Sequence, residues 1–363
     1  MLRVFAIYPS FDPLMNEMAI VWHHLAAVGA VHCTVVAKTR DVLKGFSSAD
    51  GNELDGHLSI HRFTKIQADQ ALLSIARSAN PDVIFCAVAH NLPVALAVAR
   101  EIRKPIVLHT EFFLDDGYLI RRRYHFGSRA IRRVEANLYR RYLAGAVRLI
   151  LSSDPQEFRD GPSPRYPSLR YLPWPFFGPV LPVGYAERDK SASTYIGSLS
   201  KIKGAGDLAL YWRHALTELP DFKLSVIGTP VDAVGRAARE EFQALAEGGR
   251  IEMVLHCDRE EAMERIRRAL FVFSPGKTFG WGLILDAWAT GTPVISRSPH
   301  FDLVPEQNCL IARSPQEFVA SIKRLRQDPL LWKRLQMGGL QSLRQHSLEN
   351  VSNLLLESLR LTV

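Results

Sequence analysis

Two stretches of this sequence place phosphate-binding chemistry at positions where a fold can use it. In Ile196-Gly-Ser-Leu-Ser-Lys-Ile-Lys-Gly204 an apolar run passes into a glycine turn that carries Lys201 and Lys203. Backbone amides in such a turn, with an ammonium group above them, neutralise a diphosphate. Gly197 and Ser198 lie at the start of that turn. The second stretch runs from Phe271 to Ile295. There a strand-like segment ends at Ser274-Pro275, a glycine-rich loop opens a helix at Gly280-Trp281-Gly282, and Asp286 follows about one and a half turns into that helix. Unpaired amides at a helix start suit phosphate, and a carboxylate beside them can hold a ribose diol. Taken singly, the first stretch also reads as a plain surface loop and the glycines of the second as tight packing; taken together they describe a nucleotide diphosphate site.

Other residues with chemical capacity are more scattered. His90 and His109 stand at the ends of apolar strand-like runs, where an imidazole can donate a hydrogen bond to a ligand or orient it, or be a satisfied structural histidine. Glu111, two residues past His109, and Asn16, in the loop before the first long helix, are further polar candidates. Asp115-Asp116 lacks the spacing of a metal-binding pair and reads as a solvated turn, so no metal ligand set is expected. Cys33, Cys86, Cys257 and Cys309 are far apart and have no zinc-type spacing, which predicts reduced thiols.

These residues need a scaffold that delivers loops to one edge. Short β-branched runs alternate with segments of helical period, the pattern of an α/β chain built from βαβ units on parallel sheets. Strands are expected at Leu2 to Tyr8, His32 to Ala37, Asp82 to Ala89, Ile106 to His109 and Arg148 to Ser152, then at Thr194 to Leu199, Lys223 to Ile227, Ile251 to Leu255, Leu270 to Phe273 and Pro293 to Ser296. Between the two series, the proline-rich stretch beginning Leu172-Pro-Trp-Pro continues neither period. The expected organisation is a first domain over 1–175, a linker over 176–193, and a second domain over 194–346. Each domain is Rossmann-like and doubly wound, and the two are expected to face a central cleft at the carboxyl ends of their strands. A chain of 363 residues is longer than one core usually supports.

With 47% hydrophobic and 23% charged residues, the chain is not a disordered one. Its formal charge of +8 favours anionic partners. No apolar run nears the roughly 20 residues of a membrane span, and the first residues lack the pattern of a signal peptide, so a cytoplasmic location is expected. Arg121 to Arg148 holds nine arginines and one acid, with Ile131, Val134, Leu138 and Tyr142 on one helical face. That segment reads either as a solvated helix covering a sheet or as a surface for an anionic membrane, peripheral on its inner face. No nucleic-acid-binding module accompanies the charge, and no nucleic acid partner is expected.

At Ala287-Trp-Ala-Thr-Gly-Thr-Pro-Val-Ile295 the chain resembles the GT-B glycosyltransferases of family four, whose Ala-x-Ala-x-Gly-Thr-Pro-Val-Ile stretch it matches without a gap. Ile196 to Gly204 is similar to the family's Gly-Arg-Leu-Ser-x-x-Lys-Gly loop, and Gln327-Asp-Pro329 to the start of its C-terminal tail. The resemblance implies a GT-B fold, a last helix, 347–363, that packs back on the N-terminal domain, and a retaining, metal-independent transferase. The donor would be a nucleotide-diphosphate sugar and the acceptor a glycan or lipid-linked molecule, in the biosynthesis of cell-surface polysaccharide or glycoconjugate; no cofactor is implied.

The departures from the family are specific. Asp286 falls where the family has a ribose-binding Glu, keeping the carboxylate but shortening its reach. Where the family sets another Glu against the donor sugar, this chain has Lys277 or Thr278, one residue out of the usual spacing. Lys277 there would favour a uronic acid over a neutral hexose, or else point to solvent or to the diphosphate. Ser198 replaces the family's phosphate-binding Arg, leaving Lys203, helped by Lys201, to hold the diphosphate. His109 and Lys277 are then the expected catalytic residues. Gly197, Ser198, Lys201, Lys203, Thr278, Gly280, Trp281, Gly282 and Asp286 are expected on the donor, and Asn16, His90 and Glu111 on the acceptor. Two other readings of the same architecture are a nucleotide-sugar-binding homologue without catalysis and a nucleotide-sugar 2-epimerase.

Overall fold

The computed structural model describes residues 1–9, 11, 17–38, 52–87, 91–110, 147–153, 169–246, 248–276, 281–299 and 302–363. They form two compact units, Met1–Pro175 with Ser347–Val363, and Phe176–His346. The expected sites at Asn16, His90, Glu111, Lys277, Thr278 and Gly280, and the basic segment up to residue 146, lie outside the described residues.

The first unit is built on an eight-stranded sheet in the order β3-β4-β2-β1-β5-β6-β7-β8. Its strands are β1 (Leu2–Tyr8), β2 (Val31–Lys38), β3 (Asn52–Asp55), β4 (Leu58–Phe63), β5 (Val83–Ala87), β6 (Ile106–Thr110), β7 (Val147–Ser152) and β8 (Leu169–Tyr171). All neighbours pair in parallel except β3 with β4. The period-two alternation of β1 sorts the core: Val4, Ala6 and Tyr8 face one cluster, Phe5 and Ile7 the other. On the first face lies α1 (Glu17–Ala27), whose Trp22 indole donates to the Tyr8 hydroxyl at 2.6 Å. On the second lie α2 (Gln70–Ala79) and α3 (Leu92–Ile102). The Asp69 carboxylate caps α2 by accepting from the amide of Leu72, and Asn80, in left-handed conformation, ends it.

The second unit has a six-stranded, wholly parallel sheet in the order β11-β10-β9-β12-β13-β14. Its strands are β9 (Asp189–Ile196), β10 (Lys223–Ile227), β11 (Ile251–Val254), β12 (Ala269–Ser274), β13 (Val294–Ser296) and β14 (Cys309–Ile311). Between them run α4 (Ala205–Glu218), α5 (Ala233–Ala246), α6 (Arg259–Arg268) and α7 (Trp281–Ala289); α8 (Pro315–Gln327) and α9 (Pro329–Leu343) follow. Asp258, Ser314 and Asp328 cap α6, α8 and α9 with side-chain oxygens. After the second unit closes, α10 (Leu348–Arg360) returns to the first, where Val351, Leu355 and Leu359 join the cluster that holds α1.

The stretch over 176–193 differs from a free linker. It belongs to the second unit, and its last residues are the start of β9. Arg188 is the reason. Buried at 5% exposure, its guanidinium donates to the carbonyls of Val183, Ile266, Ala269 and Thr290 and to the Thr292 hydroxyl, and stacks over Trp332 at 4.8 Å. Burial and the nearby Arg267 push its pKa down to about 9, which leaves it charged at neutral pH.

Candidate functional site

In the second sheet the chain order reverses between β9 and β12, so the crevice beyond their carboxyl ends is the topological switch point, where doubly wound sheets bind ligands. Both phosphate-type sequences emerge there. The loop 197–204 leaves β9 and enters α4, and Pro275-Gly276 leaves β12 towards α7. Absent side chains bring the two together. A Cβ on Gly204, which has φ +77°, would sit 2.7 Å from the carbonyl of Pro275 and 2.8 Å from the amide nitrogen of Gly276.

A third loop, after β10, braces the first. A Cβ on Gly228 would lie 2.0 Å from the Gly197 oxygen, and one on Gly235 would lie 1.9 Å from the Leu199 oxygen. The amide of Leu199 donates to the Thr229 carbonyl and that of Val231 to the Leu199 carbonyl, both at 3.0 Å. Asp232 then locks the turn. Its carboxylate accepts from the amides of Lys201 and Gly235, each at 2.8 Å, and those bonds lower its pKa. The Lys203 amide donates to the Ser200 hydroxyl at 3.3 Å, and the Tyr195 hydroxyl donates to the Ser198 carbonyl at 3.2 Å. The result is a rigid turn with an exposed Lys201 and a half-buried Lys203 at the opening of α4. Such a turn stabilises negative charge through its ammonium groups and through the helix dipole.

Helix α7 supplies the remaining pieces. Trp281, its first residue, is buried with its ring 5.2 Å from that of His346. Gly282 is exposed, and an added Cβ there meets no described atom within 4 Å, so packing does not demand this glycine. Asp286 is mostly covered and is bound by Arg259, whose Nη2 lies 2.7 Å from Oδ1. Gly197, Ser198, Lys201 and Lys203 thus share one loop, while Trp281, Gly282 and Asp286 share one helix.

The resemblance marks Val226-Ile-Gly228 as a strand end of the site, but sequence reasoning missed Asp232, Gly235 and Arg259. The first two lie just after that strand end, where an Asx-type residue and a glycine were the available signals.

In the first unit His109 is the penultimate residue of β6 and is buried at 1% exposure. Its ring stacks on Phe85 with centroids 5.9 Å apart, and its Nε2 lies 3.2 Å from the Ser153 hydroxyl. Desolvation pushes its pKa down to about 4, so it is a neutral imidazole at pH 7. It can donate or accept a hydrogen bond but brings no positive charge. Cys33, Cys86 and Cys309 are buried thiols with raised pKa, and Cys257 is half-buried. Among the described residues, no cluster of three His, Cys, Asp or Glu side chains could hold a metal, and no helix is long and apolar enough to cross a membrane.

No protein-family model and no curated protein matches the chain. Among solved structures it is similar to Anabaena HepE in complex with UDP and glucose, at 13% identity and a TM-score of 0.71, with 99% of this chain and 100% of that one covered. It is similar to the sucrose-phosphate synthase of Thermosynechococcus elongatus at 17% identity and a TM-score of 0.73, with 99% of each chain covered. A UDP-forming α,α-trehalose-phosphate synthase from Burkholderia xenovorans gives 13% identity and a TM-score of 0.68, over 100% and 99% of the two chains. The fold is therefore that of the GT-B glycosyltransferases, two Rossmann-like domains along the whole chain.

Proposed function

We propose that this chain is a glycosyltransferase that takes a sugar from a nucleotide-diphosphate donor and passes it, with retention of configuration, to a glycan or lipid-linked acceptor in cell-surface polysaccharide or glycoconjugate biosynthesis. The observation that carries this reading is the meeting of the Gly197–Gly204 turn with the Pro275-Gly276 strand end at the switch point of the second sheet. The HepE structures hold UDP, UDP with glucose, and UDP-glucose, which supports a nucleotide sugar as the ligand.

In this reading the diphosphate lies over the openings of α4 and α7, with Lys203 and Lys201 against it and the Asp286 carboxylate towards the ribose. Negative charge grows on the departing diphosphate as the glycosidic bond breaks. Preorganised ammonium and amide groups stabilise that charge without a metal or a cofactor. His109, neutral and buried, serves as a hydrogen-bond donor or acceptor to the sugar rather than as an acid. Lys277 is assigned from sequence to the donor sugar, where it would favour a uronic acid. Asn16, His90 and Glu111 remain the acceptor-side assignment, and the protein would work at the inner membrane face through Arg121 to Arg148.

A second reading, a nucleotide-sugar binder without turnover, is favoured by one observation: the Asp286 carboxylate already engages Arg259. Release of nucleoside diphosphate from a panel of uridine, guanosine and thymidine diphosphate sugars, hexose and uronic acid forms included, separates the two. Turnover is expected in the wild type. Lys203→Ala is expected to weaken diphosphate affinity by about 1.5 to 3 kcal/mol, the range of a hydrogen bond to a charged group. Binding without release would support the second reading, and an unchanged affinity in Lys203→Ala would remove the lysine from the site.

A further inference from the structure

We propose that Arg259 is the positioning residue that sets how the donor site reads ribose, acting through Asp286. The inference rests on the nucleotide-binding reading of the second unit and goes beyond it, since it assigns a residue in no phosphate loop.

Arg259 opens α6, directly after the Asp258 cap at the end of β11, and reaches across to the second turn of α7. Its Nη2 donates to Asp286 Oδ1 at 2.7 Å while its Cζ lies 5.5 Å from the centre of the Phe177 ring. Gly178 completes the seat: a Cβ there would stand 3.0 Å from Arg259 Nη2 and 2.8 Å from the Phe176 ring. A carboxylate, an aromatic face and a missing side chain thus fix the course of one arginine.

Stability does not account for this arrangement. The Arg259 side chain is 51% exposed, and ion pairs that open to solvent contribute little to folding. Its value lies in orientation. A carboxylate accepts at about four lone-pair sites and a guanidinium donates from five N–H groups, so the bond between them does not by itself use up either group. A ribose cis-diol, with two hydroxyl groups that donate and accept, is complementary to a carboxylate held at a fixed angle. A 2′-deoxyribose offers half of that pattern. Without Arg259 the Asp286 carboxylate would lose one of the bonds that set its angle, and the discrimination between the two sugars would fall.

The test is calorimetric titration of the full chain with UDP, GDP and ADP, with the 2′-deoxy counterpart of whichever binds, and with inorganic pyrophosphate. The wild type is expected to prefer the ribonucleotide by about tenfold or more, the factor that a hydrogen bond to a charged group supplies. Arg259→Ala is expected to bring that ratio close to one and to leave pyrophosphate binding unchanged, and Arg259→Lys to restore part of the preference. Asp286→Asn should lower the ratio as Arg259→Ala does. An undiminished ribose preference in Arg259→Ala, or an equal loss of pyrophosphate binding, would overturn the proposal while leaving the nucleotide site standing. Failure of the wild type to bind any nucleoside diphosphate would overturn both.

Discussion

His109 shows how burial sets the chemistry of a single residue. Its imidazole, held between Phe85 and Ser153, has a pKa near 4, below the 6.5 of an exposed histidine. Between those values the unfolded chain binds a proton that the folded chain refuses, so stability is complete above pH 6.5 and is lost as pH falls towards 4. At about 1.4 kcal/mol for each pH unit of the gap, the loss is on the order of 3 kcal/mol. His109→Phe, which keeps a ring against Phe85, should therefore flatten the fall of the melting temperature between pH 6.5 and 4 compared with wild type. Parallel curves for the two proteins would show that His109 is not the group responsible. The same residue marks a limit of sequence reading. A histidine at the end of an apolar run is visible as a strand end, but whether it faces solvent or the core depends on Phe85 and Ser153, brought beside it by β5 and β7.

Among the elements, the segment before β9 carries the clearest consequence. Four prolines over 173–182 argue for a connection. Beyond them the chain forms a docked strap, because Arg188 satisfies the carbonyls of Val183, Ile266, Ala269 and Thr290 at once. Arg188→Ala would leave several of those acceptors buried and unpaired and should destabilise the second unit by at least about 3 kcal/mol, read from the denaturant midpoint. Arg188→Lys keeps the charge but not the planar fork and should recover little of it. A loss below about 1 kcal/mol would mean that water or a rearranged strap replaces these bonds. Burial decides how much of the element map was legible. Fully buried strands such as β5 and β12 stand out as apolar runs, and the cap residues Asp328 and Ser347 announce α9 and α10. The first half of β9, Asp189-Lys-Ser-Ala-Ser193, is polar because its early residues reach solvent at the amino end of the sheet, and so it was hidden within the proline-rich stretch. The strands β4, β8 and β14 escaped notice for related reasons: β4 alternates buried and half-buried positions, and the other two are three-residue strands at the sheet edges. Of the site, the lysine turn and the helix carrying Asp286 were readable as motifs. Asp232 and Arg259 were not, because their roles depend on loops from β10 and β11 being laid beside those of β9 and β12.

At the scale of the whole molecule, each unit has its own sheet and its own core, so ligand effects on stability should be read unit by unit. The proposed diphosphate site is made wholly from residues of Phe176–His346, and the chain's net charge of +8 adds a general attraction for a multiply charged anion that weakens with salt. A ligand that binds only the native form stabilises it by mass action, about 2.7 kcal/mol at a concentration one hundred times its dissociation constant. Hydrogen exchange at that concentration of the best-binding nucleoside diphosphate should therefore slow in β9, β10 and β12 and in the starts of α4 and α7, the elements whose loops meet at the switch point. The gain should shrink as ionic strength rises, because the steering charge is screened while the hydrogen bonds are not. In Lys203→Ala the protection should decline at fixed ligand concentration, and Asp232 with the backbone bonds of Leu199 and Val231 should keep the turn in place without ligand. Protection confined to residues 1–175 would place the nucleotide in the first unit and overturn the assignment of the switch point in the second.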